Sequence, residues 1–417
     1  MSAGSPPAVV VVFDLGSASP VEVLRSAGST CRPVFVFDRD TAGGRLAAVM
    51  ASLAPTVDAT GRDGGDVADE LRGLEPAGIT TFSEHQIRRT AALASRLGLR
   101  YHTPAVAERL TDKWAQREVV RRAGVDGVRS RLLTGPADLP AALRDVPLPG
   151  VVKPARGAGS RDTYLVEDAA ACAVLVEALF ADAAAGPRRF VLEELLVGDP
   201  AAAGPDWGDY VSVETLFVDG AAHHLAVTGR TKLAPPFRET GAFVPAAVGP
   251  ELWAGAERLA ERACAALGVR DGFTHTEIKL TRDGPRLLEV NGRLGGHVAG
   301  SLRRTIGVDA VALALQAAAG VASPPAGVPF GCVAFEYFPA APVDAGRLVA
   351  VAGIDEVRRL PGVERVELRV QPGAALDWRA GTEGYVCLVS GAVATHDDLW
   401  RTLAIVDSSL RPTFEPG

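Results

Sequence analysis

Lysine is nearly missing from this chain. Of its 43 basic residues only four are lysine, at positions 113, 153, 232 and 279; the other 39 are arginine. A compact ammonium and a planar guanidinium are different chemical tools. In a chain that defaults to arginine, each lysine is therefore a candidate for a place where a point charge is wanted, for instance on a phosphate, with chance retention as the alternative. Cysteine is scarce too. Five residues, at 31, 172, 264, 332 and 387, form no CxxC pair and no regular spacing. They read as buried or incidental thiols in a reducing compartment. Excess positive charge is also absent: the net charge is -7 and the pI is near 5.6. Nucleic acid and membrane surfaces favour basic patches, so neither is expected as a partner. The opening stretch MSAGSPPAVVVVFDLGS has no basic segment, and its apolar run is too short to span a bilayer. A cytoplasmic protein is expected. No internal repeat and no low-complexity tract interrupts the sequence.

What is present suits full cores. The 417 residues are 47% hydrophobic, and two or three domains are expected from the length. Residues 8–13 and 33–37 read as buried parallel strands with a helix over 20–27 between them, and 76–84 offers a third strand before a helix over 85–97. This alternation predicts an open α/β domain. GRDGGD (61–66) reads as a loop. Thr111 or Asp112 caps a helix running to Ala123, with Gly124 as its stop. Strands are expected over 129–133, 188–198 and 210–218, and helices over 168–180, 251–267 and 307–319. After GVASPPAGVPFG (320–331) short strands at 332–338, 365–370 and 384–389 suggest a small C-terminal β-rich lobe.

The segment GFTHTEIKLTRDGPRLLEVNGRLGG reads as a β-hairpin. His275, Glu277 and Lys279 share one face of its first strand; Glu289, Asn291 and Arg293 share one face of its second. A three-residue loop, Arg282-Asp283-Gly284, with glycine left-handed, would pair 281 with 285. It would place Glu277 opposite Glu289 and His275 opposite Asn291. Two carboxylates facing each other across a strand pair repel. A hard divalent cation would offset that, and two Glu with one Asn suit Mg²⁺. Arg293 could steady charge on a moving phosphoryl group. A solvent-facing hairpin, its Glu residues paired with Lys279 and Arg293, is the plain alternative. In VVKPARGAGSRD, Lys153 follows an apolar strand, and the Gly-rich loop can turn backbone N–H groups toward phosphates. It is neither a Walker A motif nor GxGxxG.

Together TDKWAQREVVRRAGV, VVKPARGAGS, FVLEELLVG, HTEIKL and LLEVNGRLGG resemble the ATP-grasp carboxylate–amine ligases, most closely the L-amino acid ligases that make dipeptides. TGRTKLAPPFRETGAFVPA (228–246) resembles a loop of that subgroup. The resemblance implies an ATP-grasp fold, α/β and α+β, with a Rossmann-like N-terminal domain over 1–108. A central region over 109–198, a subdomain with the hairpin over 199–325 and the β-rich lobe over 326–417 would follow. It implies ATP and Mg²⁺ (one or two ions, Mn²⁺ a substitute), small-molecule carboxylate and amine substrates, and a homodimer. Lys113, Lys153 and Ser160 would attend the phosphates. Glu193, Glu194 and Leu196 would form the adenine hinge, with Glu193 and Leu196 reading the base through their backbone. Asp209, with Glu214 as rival, would hold the ribose. Glu277, Glu289 and Asn291 would bind metal, and Arg293 would act with Lys153 in catalysis. Lys232, Glu239, His275, Arg293 and His297 would meet substrate, with Glu239 or His275 as base for the amine. His85, His102, His223, His224 and His396 read as surface or packing residues. Trp253, Phe273 and Phe335 read as core, and Phe237 and Phe243 as a lid. An ATP-grasp carboxylase using bicarbonate and a nucleotide-binding module without turnover are the alternatives.

Overall fold

The computed structural model describes residues 6–181 and 188–417. Its N-terminal sheet is parallel, in the order β3-β2-β1-β4, from β1 (Ala8–Val12), β2 (Arg32–Phe37), β3 (Thr56–Asp58) and β4 (Pro76–Thr80). Parallel strands covered on both faces need continuous apolar runs, and β1 is buried throughout. One cover comes from far along the chain. The helix Ala310–Ala318 lies so close to β4 that a Cβ on Gly78 would fall 2.1 Å from Ala318 O. The N-terminal core accordingly includes Leu302, Val311 and Leu315.

A second sheet holds β5 (Ser130–Leu133), β6 (Gly150–Pro154), β7 (Tyr164–Val166) and β8 (Phe190–Glu194) in the antiparallel order β5-β8-β6-β7. It carries a core of its own beneath the helix Ala169–Phe180. The third sheet has eight strands. It contains β9 (Tyr210–Val218), β10 (Ala221–Arg230), β11 (Gly241–Val244), β12 (Gly272–Thr281), β13 (Gly284–Asn291), β14 (Val333–Tyr337), β16 (Val363–Leu368) and β17 (Cys387–Val393), in the order β13-β12-β9-β10-β11-β14-β17-β16. The C-terminal strands expected as a small β-rich lobe are present, and β14, β16 and β17 extend the sheet that bears the hairpin. Among the described C-terminal strands, only β15 (Ala345–Ala352) and β18 (Arg411–Pro416) pair apart from it. Among the described residues no helix is long and apolar enough to cross a membrane.

Local chemistry explains three departures from the sequence reading. Gly64 opens the helix Gly64–Arg72 instead of lying in a loop, because Asp63 accepts a hydrogen bond from Gly65 N (2.6 Å) and caps it. The helix expected over 307–319 is preceded by another, Val298–Ile306; Gly307 at φ 69° ends the first, and Asp309 caps the second. In the hairpin, Thr281 pairs with Gly284 across a two-residue turn, not with Pro285. A bulge then shifts the register between Glu277 and Ile278, which restores Glu277 opposite Glu289. The cause is packing: Leu287 and Val290, three residues apart, are both fully buried, and strict alternation cannot put both in the core.

Candidate active site

The hairpin places Glu277 opposite Glu289 and His275 opposite Asn291. Cations gather around this acidic rung. Lys113 Nζ lies 3.0 Å from Glu289 Oε1 and donates to Gly157 O (2.7 Å) in the Gly-rich loop. Asp112 fixes that lysine by capping the helix Lys113–Arg122, its Oδ1 accepting from Ala115 N (3.0 Å). Arg293 Nε sits 3.2 Å from Glu84 Oε2. Burial pushes the Glu84 carboxyl up to about 7, against the pull of Arg293. Glu84 did not stand out in the sequence. Its available sign is position: it follows the carboxyl end of a parallel strand, where open α/β sheets place ligands.

Beside this rung stands a second cluster. Lys153 Nζ lies 2.8 Å from Glu193 Oε2, and Arg117 grips Glu193 with two nitrogens at 2.9 and 3.1 Å. Burial opposes ionisation of Glu193, but Arg117 and Lys153 outweigh it and hold the carboxyl at about 2. Arg117 also donates to Leu287 O and Leu288 O (2.7 Å each), so it ties the hairpin bulge to Lys153. The sequence reading missed Arg117. It also misread Glu193. This residue pairs with Ser130 on one side and Val151 on the other, so its backbone is enclosed by the sheet and cannot read a base. Leu195 N makes a last bond to Pro149 O (3.2 Å), which leaves Leu196 just beyond the sheet. The Glu194 carboxylate holds Arg129 (2.7 Å). Ser160 takes φ 56° in the turn of the Gly-rich loop.

Beside β12, along β9 and β10, lies a buried chain of polar groups. Glu214, fully buried, accepts from Ser212 Oγ (3.0 Å) and Thr228 Oγ1 (3.1 Å) and places two oxygens within 3.0 Å of His275 Nδ1. It is therefore closed to a ribose, which corrects the rival assignment. Burial disfavours the imidazolium and Arg230 Nη2, 3.1 Å from Nε2, repels it; Glu214 outweighs both and raises His275 to about 9. An imidazole charged at neutral pH has no lone pair to offer, which argues against His275 as the amine base. Burial opposes the Glu277 charge as well, yet His275, Arg230 and Arg293 hold it at about 2. Arg230, missed in the sequence, joins this chain to Glu239 (3.1 Å).

Several expected residues lie elsewhere. The Lys232 side chain is exposed to solvent, and it is its carbonyl that accepts from Thr240 Oγ1 (2.6 Å). Phe243 is no lid; it is buried against Trp207 and His396. Phe273 and Phe335 are core, and Trp253 and Phe237 are half-buried. Asp209 is paired with Lys279 (2.6 Å). His297 sits 2.7 Å from Glu336 Oε2, beside Phe338.

Among the described residues no three His, Cys, Asp or Glu side chains converge at metal-binding distance. The hairpin's donor set is instead two facing carboxylates and the Asn291 carboxamide. All are oxygen donors, as magnesium requires, and the charge of the facing pair fits a cation between them.

Residues 146–301 match the ATP-grasp domain, and residues 341–403 match the L-amino acid ligase C-terminal domain 2. The chain is 30% identical over 275 residues to human (Homo sapiens) carnosine synthase 1, covering 60% of this chain and 31% of that protein. It is 29% identical over 254 residues to alanine--anticapsin ligase of Bacillus subtilis, covering 57% of this chain and 53% of that protein. It thus spans about a third to about half of these relatives. An L-amino acid ligase from Bacillus licheniformis has the same fold, with a TM-score of 0.81 over 99% of this chain and 100% of that one at 21% identity. The chain carries an ATP-grasp domain over residues 146–301, followed by a C-terminal domain of the L-amino acid ligase type over 341–403.

Proposed function

We propose that this protein joins a carboxylate, an amino acid, to the amine of a second amino acid, forming an amide at the expense of ATP. The substrate carboxylate oxygen attacks the γ-phosphorus, ADP leaves, and an acyl phosphate forms. The amine nitrogen then attacks the acyl carbon, phosphate departs with the C–O bonding pair, and the amine gives up a proton. Such chemistry needs positioning and charge neutralisation, not a nucleophilic side chain.

The residues divide that work. Lys113 and Lys153 meet phosphate oxygens, each held at the Gly-rich loop by a carboxylate, Glu289 or Glu193. Glu194 and Leu196 offer backbone to the adenine where the chain leaves the sheet, and Asp209, with Glu214 buried, is the choice for the ribose. Glu277, Glu289 and Asn291 would hold one or two Mg²⁺, or Mn²⁺ in its place, whose charge offsets that of the phosphates. Arg293 steadies the acyl phosphate and the tetrahedral adduct. Glu239 takes the proton from the amine, and His297 lines the substrate pocket.

The observation that carries this reading is the rung itself: two carboxylates face each other with Lys113 at 3.0 Å from Glu289, and Lys113 also bonds the loop that follows Lys153. The test is phosphate release with all pairs of common amino acids, and mass spectrometry for a product one water lighter than its parts. ATP turnover that depends on bicarbonate and yields no amide would replace the ligase with a carboxylase. Nucleotide binding without ADP formation across the panel would leave a binding module.

A further inference from the structure

The C-terminal segment Trp378–Gly384 has no part in the chemistry above, yet it lies against the phosphate loop. Thr382 N donates to Gly159 O (2.8 Å) and Asp162 N donates to Arg379 O (3.1 Å). The approach is too close for a side chain. Gly381 takes φ 67°, and a Cβ there would fall 2.1 Å from Gly159 O. Thr382 has a second contact: its Oγ1 accepts from Glu239 N (3.4 Å). One residue therefore touches the phosphate loop with its backbone and the substrate loop with its side chain. The other end of the phosphate loop is held by Lys113 at Gly157 O.

We propose that Gly381 and Thr382 are positioning residues, which clamp the phosphate loop over ATP and set it in register with Glu239. The inference rests on the ligase reading for its activity arm only. The two contacts can be cut separately. Gly381→Ala displaces the strap from Gly159. Thr382→Val keeps shape and backbone N–H and removes the acceptor for Glu239; Thr382→Ser keeps it.

In the full-length protein, Gly381→Ala is expected to weaken ATP binding by about tenfold, with KM for ATP rising more than kcat falls. It should also speed tryptic cleavage after Arg156 and Arg161. Thr382→Val is expected to keep wild-type ATP affinity and proteolysis but to lower amide formed per ADP released by about fivefold, the worth of one modest hydrogen bond. Thr382→Ser should restore that ratio. Should Gly381→Ala not fold, Trp378→Ala, which removes the ring contact with Tyr164, takes over the ATP and proteolysis arms. Wild-type ATP affinity and cleavage in the strap variant, or a wild-type coupling ratio in Thr382→Val, overturns the clamp. If the wild-type protein yields no ADP with any amino acid pair, the ligase reading fails, and ATP affinity and proteolysis still decide the clamp.

Discussion

Arg293, two residues past the hairpin strand that ends at Asn291, is held by Glu84 from the N-terminal domain at 3.2 Å. Two distant parts of the chain thereby fix one cation. The Glu84 side chain is only 10% exposed, and burial lifts its pKa from 4.5 to about 7. A raised carboxyl binds its proton more tightly in the folded state, so its contribution is best at low pH. That contribution is lost as pH rises from 4.5 through about 7. Glu84→Gln should therefore match the wild type near pH 4.5 and exceed it above pH 7, by a margin on the order of 3 kcal/mol. Denaturant melts across that range measure the difference, and a margin independent of pH would contradict the assignment.

His275 and Glu214 give a second pH dependence with its own window. Here a base is raised, from 6.5 to about 9. The stability it brings is complete below pH 6.5 and disappears as pH rises through about 9. Glu214→Gln removes the counter-charge from a buried site, at a cost of about 3–5 kcal/mol near neutral pH. The gap to wild type should narrow between pH 6.5 and 9. Proton-detected titration of the imidazole should show its pKa falling from about 9 in the variant, and an unmoved value would place the perturbing charge elsewhere.

These two clusters show which parts of the site can be read from sequence. Alternation named the faces of the hairpin, and Glu277, Glu289, His275 and Asn291 came out at their observed rungs because the shorter turn and the unforeseen bulge offset each other. The adjacent Leu287 and Leu288 broke the alternation and were the visible trace of the bulge. Alternation says nothing about what packs on a face. Arg117 meets Glu193 across 76 positions and Glu84 meets Arg293 across the domain junction, so neither followed from spacing. Arg230 stood two residues before a flagged lysine, but in an arginine-rich chain it looked ordinary. The C-terminal strands were seen, and their joining of the large sheet was not, because edge pairing leaves little local pattern.

Lys153 and Glu193 should separate catalysis from folding. Lys153→Ala leaves the two-pronged Arg117–Glu193 pair in place. Its melting temperature should stay near wild type while ADP formation falls by about 10²-fold or more. Glu193→Ala strands two cations in a buried site and should cost about 3–5 kcal/mol of stability. Thermal melts beside an ADP assay separate the two outcomes. Equal destabilisation by both variants would mean that Lys153 is a structural partner and not a phosphate ligand.

Glu289 faces both a like charge and a lysine, and that balance yields the last expectation. Glu289→Gln removes the repulsion from Glu277 across the rung and weakens the contact with Lys113, 3.0 Å away. The two changes oppose each other, so folding stability should move by no more than about 1 kcal/mol. Function has no such compensation. A carboxamide brings no charge toward a divalent cation, so turnover should fall by about 10²-fold and recover in part as Mg²⁺ is raised. The measurement is ADP formation against Mg²⁺ concentration in a variant whose melt is unchanged. Wild-type turnover at low Mg²⁺ would mean that the acidic rung does not serve the nucleotide, and that the two carboxylates face each other for reasons of packing alone.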